Sequence, residues 1–181
     1  MLPTWLLGLF RRGVSISIPL GSFYNSMSKD EILARLEKAS DEAVKDFEPK
    51  VDYQGEIVET YCNIGADFIC REVWGYKGFM NMMANQIYDR MRGAVDFALV
   101  DPEAAQRLAN DGRMVIAAQK GDEHGHVAVV IPGTVVYSGK WRCNAPRIAN
   151  VGKRNGKMAA NWAFIQKPEF YAHIPDVQEK A

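Results

Sequence analysis

Near Gly112 the apolar residues change period, from the three-and-four spacing of helices to short runs of branched and aromatic residues, and this switch constrains the fold most. Before it, Ser28-Lys29-Asp30-Glu31 has the form of a capping box, and Ile32, Leu36, Ala39, Ala43 and Phe47 follow at helical spacing until Pro49. The same spacing predicts a helix over 60–75, capped by the Thr60 hydroxyl, with Cys62 in its first turn. A third helix is expected over 81–91. A fourth opens at Asp101-Pro102-Glu103, with proline at its first position, and closes at Gly112.

Beyond Gly112, residues 114–118, 126–131, 135–138, 147–151 and 162–166 read as strands, separated by Pro132-Gly133, Ser138-Gly139 and Asn155-Gly156. Helices followed by hairpin-connected strands predict an α+β domain whose helices pack on one face of a mostly antiparallel sheet. No internal repeat marks a second unit, so 28–181 is read as one domain behind an arm over 1–27. With 48% apolar and 24% charged residues, the 181-residue chain can bury a core that offsets its ordering entropy.

Charge and cysteine usage narrow the partners. Twenty-two basic residues balance 22 acidic ones, which gives no global field for nucleic acid, and none is expected as a partner. The basic stretch 153–157 is read as a solvated turn. Three cysteines without CxxC spacing build neither a disulfide scaffold nor a four-cysteine zinc site, so no metal or cofactor is expected. The opening MLPTWLLGLF is apolar for only about ten residues and is followed by Arg11-Arg12, the reverse of a secretory signal and too short to span a bilayer. No transmembrane segment is expected; an export signal, a docking segment and an upstream start stay open for the arm.

Cys62 is the cysteine best placed for chemistry. At the start of a helix a sulfur meets unpaired amide N–H groups and the positive end of the helix dipole, which favour thiolate and supply oxyanion donors. Taken alone, it reads first as a small buried hydrophobe. Cys70 is expected in the core and Cys143 in a loop. Among three histidines, His126 opens a strand after Gly125 and is the candidate base, whereas His124 lies in a charged turn and His173 among prolines and aromatics. Asn150 is the preferred partner to fix the imidazole, with Asn144 and Ser138 as alternatives. Gln54, Tyr53 and Tyr61 are candidates for substrate or oxyanion contacts, and Trp141 for a binding platform. Trp162, and Met80, Met82, Met83 and Met91 with Phe79, are read as core.

A cysteine at a helix start, a later strand reading Gly125-His126-Val127-Ala128-Val129-Val130, and then a strand with a polar residue resembles the papain-like peptidoglycan hydrolases, including the cysteine, histidine-dependent amidohydrolase/peptidase (CHAP) family and its NlpC-type relatives. The likeness covers roughly residues 53–166, and Thr60-Tyr61-Cys62-Asn63 and the GHVAVV segment carry it. It implies a papain-like fold and an amidase or endopeptidase in which Cys62 attacks an amide of the cell-wall peptide, His126 is the general base and Asn150 orients it. Many CHAP members hold an acid in that third role. The implied partner is the peptide of peptidoglycan, and the implied place of action is the cell wall or periplasm. Since no cell-wall-binding module is read, targeting would come from the domain, the arm or a delivery system; a delivered effector would also have an immunity partner. The bond cut, and the choice among phage lysin, effector and housekeeping enzyme, are left open.

Three rival readings accompany this one. A cysteine hydrolase or acyltransferase could act on protein or lipid, and an inactive module could hold a peptide in the same cleft. A metal site of His124, His126 and Cys143 ranks last.

Overall fold

The computed structural model describes residues 27–174. Residues 1–26, most of the expected arm, lie outside it. Helix α1 (Lys29–Asp46) starts as its sequence predicts: Ser28 Oγ accepts the Glu31 N–H at 3.3 Å, and Glu31 Oε2 accepts the Ser28 N–H at 2.7 Å. A short antiparallel hairpin follows, β1 (Lys50–Val51) and β2 (Ile57–Glu59). Helix α2 (Cys62–Trp74) ends at Gly75, whose φ of 64° is the left-handed conformation that glycine adopts without a Cβ penalty. Helix α3 (Ala84–Gly93) begins three residues later than its spacing predicts.

The chain then alternates. Strand β3 (Phe97–Val100) precedes α4 (Pro102–Asn110), which Asp101 caps by accepting the Ala104 N–H at 2.7 Å. There follow β4 (Val115–Gln119), β5 (His126–Val130), β6 (Val136–Ser138), β7 (Cys143–Ala145), β8 (Arg147–Asn150), β9 (Gly156–Ala159) and β10 (Glu169–His173). Six strands form one sheet in the order β3-β10-β4-β5-β8-β9, with every neighbour antiparallel, while β6 and β7 pair separately. The α+β class and the mostly antiparallel sheet therefore hold.

The expected one-sided packing does not. Ile116, Ala118, Val127, Val129, Ala149 and Val151 face α1, α2 and α3, whereas Val115, Ala117, Ala128, Val130 and Ile148 face Ala104, Ala105 and Ala109 of α4 together with Phe164. Both faces are covered because successive residues of β4 and β5 are apolar, and each alternate set must be buried. Buried Gln106 fastens α4 to the sheet: its side chain donates to Ile131 O at 2.9 Å and accepts the Arg147 N–H at 2.7 Å.

Residues 162–166 are not a strand. The chain forms a 3₁₀ turn at Ala160–Trp162, Ala160 N–H donates to Pro146 O, and Trp162 is 68% exposed, so it is not a core aromatic either. The methionine cluster also divides. Met91 and Phe79 are buried, but Met80 and Met83 are exposed at 46% and 57%. No helix of the described residues is long and apolar enough to cross a membrane.

Candidate functional site

Cys62 is the first residue of α2, and the expected Thr60 cap is absent: the capping position is Tyr61, without a side-chain hydrogen bond to the helix. The free amides of the first turn instead meet the sulfur. The backbone amides of Cys62, of Asn63 and of Val127, the residue after His126, favour the thiolate form of the sulfur. Pairing between β5 and β8 covers only Val129 and Val130, which leaves Val127 outside that ladder. Helix α2 lies close to Val151, the residue after β8, because Gly65 has no side chain; a Cβ there would sit 2.6 Å from Val151 Cγ2.

The expected activation of the thiol by the helix start is overturned. Cys62 is 7% exposed, and burial pushes its pKa up by more than the three amides pull it down. A sulfur at the dipole's positive end still loses thiolate character when water is removed from around it. Cys70 is fully buried in α2, where burial raises it well above the ordinary thiol range, and Cys143 is half-buried in β7.

His126 opens β5, and its Nε2 lies 2.7 Å from Asn150 Oδ1. Asn150 is 3% exposed and sends its Nδ2 to Arg154 O at 2.6 Å. A carbonyl oxygen only accepts, so the amide must face it with nitrogen, and its own oxygen must face the ring. The hydrogen-bond network thus assigns the proton to Nε2 in the neutral imidazole and leaves Nδ1 with a lone pair. Burial lowers the His126 pKa, and the Asn150 hydrogen bond raises it in part. Phe164 lies against the ring at 4.7 Å between centroids, a neighbour that its sequence context, read as a strand, did not reveal.

Glycines let the surrounding chain close in. A Cβ at Gly125 would lie 2.3 Å from Asn85 Oδ1, and one at Gly152 would lie 3.1 Å from His126 Cε1. Asn85 holds the turn before His126 by donating to Gly121 O at 2.9 Å and accepting the Gly121 N–H at 3.1 Å. Beside Cys62, Asn63 donates to Met82 O at 2.9 Å. The 82–85 segment is therefore fastened to the cysteine helix at one end and to the histidine turn at the other.

The other candidates lie at various distances from this centre. Tyr61 is half-buried directly before Cys62, with the Lys50 ammonium 5.5 Å over its ring. Gln54 is exposed in the β1–β2 turn, where its N–H donates to Asp52 Oδ1, and the adjacent Tyr53 is exposed too. Trp141 sits between β6 and β7 with its N–H on Ser138 Oγ, and its ring packs on the α4 side of the sheet. Ser138 and Asn144 belong to the β6–β7 pair, so Asn150 is the residue of the three that meets His126. His124 is exposed, and no group of three His, Cys, Asp or Glu side chains among the described residues could hold a metal ion. The 153–157 turn is not simply solvated: Asn155 reaches α1, and Lys157 pairs with Glu37 and Asp41.

Searches against protein-family models and curated proteins find no match to this chain.

Proposed function

We propose that this chain is a papain-like, cysteine-dependent peptidoglycan hydrolase, an amidase or endopeptidase that cleaves an amide of the cell-wall peptide. The observation that carries the reading is the His126–Asn150 hydrogen bond, whose network leaves imidazole Nδ1 unprotonated one residue from the amide that meets the Cys62 thiol. The cell-wall peptide as substrate rests on the resemblance of the GHVAVV segment and the Cys62 motif.

A raised thiol pKa and a lowered imidazole pKa make the resting pair neutral. Attack is then base-assisted: Nδ1 takes the thiol proton as sulfur bonds to the substrate carbonyl carbon, and the oxygen gains the negative charge. Backbone N–H groups at the start of α2 hold that charge. Imidazolium next protonates the leaving nitrogen, the C–N bond breaks and a thioester remains. Water adds to the thioester with its proton going to Nδ1; collapse expels Cys62, which recovers a proton, and releases the acid.

Cys62→Ala and Cys62→Ser should each abolish release of fragments from purified peptidoglycan while leaving the circular-dichroism melt within a few degrees of wild type. Mass analysis of products from defined muropeptides would identify the bond. Retained hydrolysis by Cys62→Ala eliminates the mechanism.

The buried, up-shifted thiol favours a second reading, an inactive module that holds a peptide. Rate of alkylation by iodoacetamide at pH 7 separates the two. In a competent pair the imidazole assists, so His126→Ala slows labelling of Cys62; in an inactive module that substitution leaves the rate unchanged.

A further inference from the structure

Two residues of the β8–β9 hairpin lie beside the imidazole: Asn150, at the end of β8, whose amide meets the ring, and Gly152 in the turn to β9, where a Cβ would come within 3.1 Å of Cε1. The turn's attachment to the rest of the molecule centres on Asn155. Asn155 Oδ1 accepts the Gly152 N–H at 2.8 Å, and Nδ2 donates to Val44 O at 2.9 Å and Phe47 O at 3.0 Å. Those carbonyls belong to the end of α1, where the helix leaves acceptors without internal partners. One side chain therefore joins a helix terminus to the backbone that rests on His126, while Arg154, its chain neighbour, supplies the carbonyl that orients Asn150.

We infer that Asn155 is a positioning residue for the proposed general base, holding His126 in its Nε2–H tautomer through Gly152 and Asn150. The inference rests on the reading of His126 as base. Losing Asn155 frees Gly152 to drift from the ring edge and Arg154 O to drift from Asn150. The amide can then rotate, and a rotated amide presents N–H to Nε2 and selects the opposite tautomer, in which Nδ1 carries the proton and cannot accept one.

Lys157 provides the control. It fastens the same hairpin to α1 through Glu37 at 2.5 Å and Asp41 at 2.6 Å, yet it lies outside the turn that touches the ring. The experiment records ¹⁵N shifts of the histidine ring nitrogens at pH 7.5 for the full chain, Asn155→Ala and Lys157→Ala, beside kcat and KM on purified peptidoglycan. The wild type should show a protonated Nε2 and an unprotonated Nδ1 at His126. Asn155→Ala should move both resonances toward a mixture and lower kcat roughly tenfold with KM unchanged, whereas Lys157→Ala should lower only the melting temperature. Should Asn155→Ala not fold, Asn155→Ser carries the same comparison. Unchanged His126 shifts in a folded Asn155 variant, or an equal change in Lys157→Ala, overturn the inference. A wild type that cuts no peptidoglycan, but whose tautomer still follows Asn155, supports the positioning role and overturns the hydrolase reading instead.

Discussion

His126 and His173 occupy the two ends of one comparison: both are largely buried on the same sheet, and burial lowers the pKa of both, yet their surroundings prepare them for different work. His126 faces a neutral amide that fixes one ring nitrogen and leaves the other available. His173, on β10, packs between Tyr76 and Phe97 at 4.9 and 5.1 Å between centroids, and its Nε2 is 3.8 Å from Asp96 Oδ2, beyond hydrogen-bond length. Arg90 already holds Asp96 through two bonds of 2.9 Å. Desolvation alone thus makes a neutral histidine; a partner that selects its tautomer makes a candidate base.

The sharpest way to break this contrast is to remove each ring. His126→Ala should slow hydrolysis by about 10²–10⁴-fold, and His173→Phe should leave kcat within a factor of about two of wild type. Equal losses in the two would erase the distinction. Assays on purified peptidoglycan with matched melting curves measure it.

Next in size is the pH dependence of folding. Burial first, offset in part by Asp96, lowers His173 to about 4. Between the unfolded value near 6.5 and about 4, the unfolded chain takes up a proton that the folded chain refuses. The stability contributed by the neutral ring is therefore complete above pH 6.5 and is lost as pH falls toward 4. The size is about 3 kcal/mol, and the side chain is only 11% exposed, so solvent screening reduces it little. Urea titrations at pH 7 and pH 4 should show this component in the wild type and its loss in His173→Phe. An unchanged difference would refute it.

The smallest predicted effect is a shift of the rate profile. Asn150→Asp places a carboxylate beside Nε2 and should move the acid limb of the kcat/KM profile up by about one pH unit, because the base must be neutral. Asp96→Asn, at the other histidine, should leave that limb in place. A profile that moves with Asp96 and not with Asn150 would reverse the roles.

Local rules made much of this legible beforehand. Ser28 and Glu31 close a capping box whose spacing is visible in four residues, and Asp101 with Pro102 starts α4 where the sequence puts it. Cys62 at a helix start and His126 at a strand start follow from the same kind of reading. Strand β3 was missed because Phe97–Val100 is a short apolar run without alternation, and β10 because Glu169–His173 stands in a tail of prolines and aromatics. Residues 162–166 failed the opposite way: a branched and aromatic run met a backbone already committed to a turn. The two-sided core was present in the unbroken apolar run of β5, but the covering helix, α4, is placed by tertiary pairing.

The sequence by itself determined the capped helix starts, the change from helices to strands and the residue types available for chemistry, since capping, turn and periodicity rules act over a few neighbouring residues. Tertiary structure decided which of Ser138, Asn144 and Asn150 meets His126, which ring nitrogen is left bare, and that the Cys62 thiol is shifted upward. Those outcomes depend on strand register and on water excluded by segments distant in the chain, and neither is a property of any local stretch.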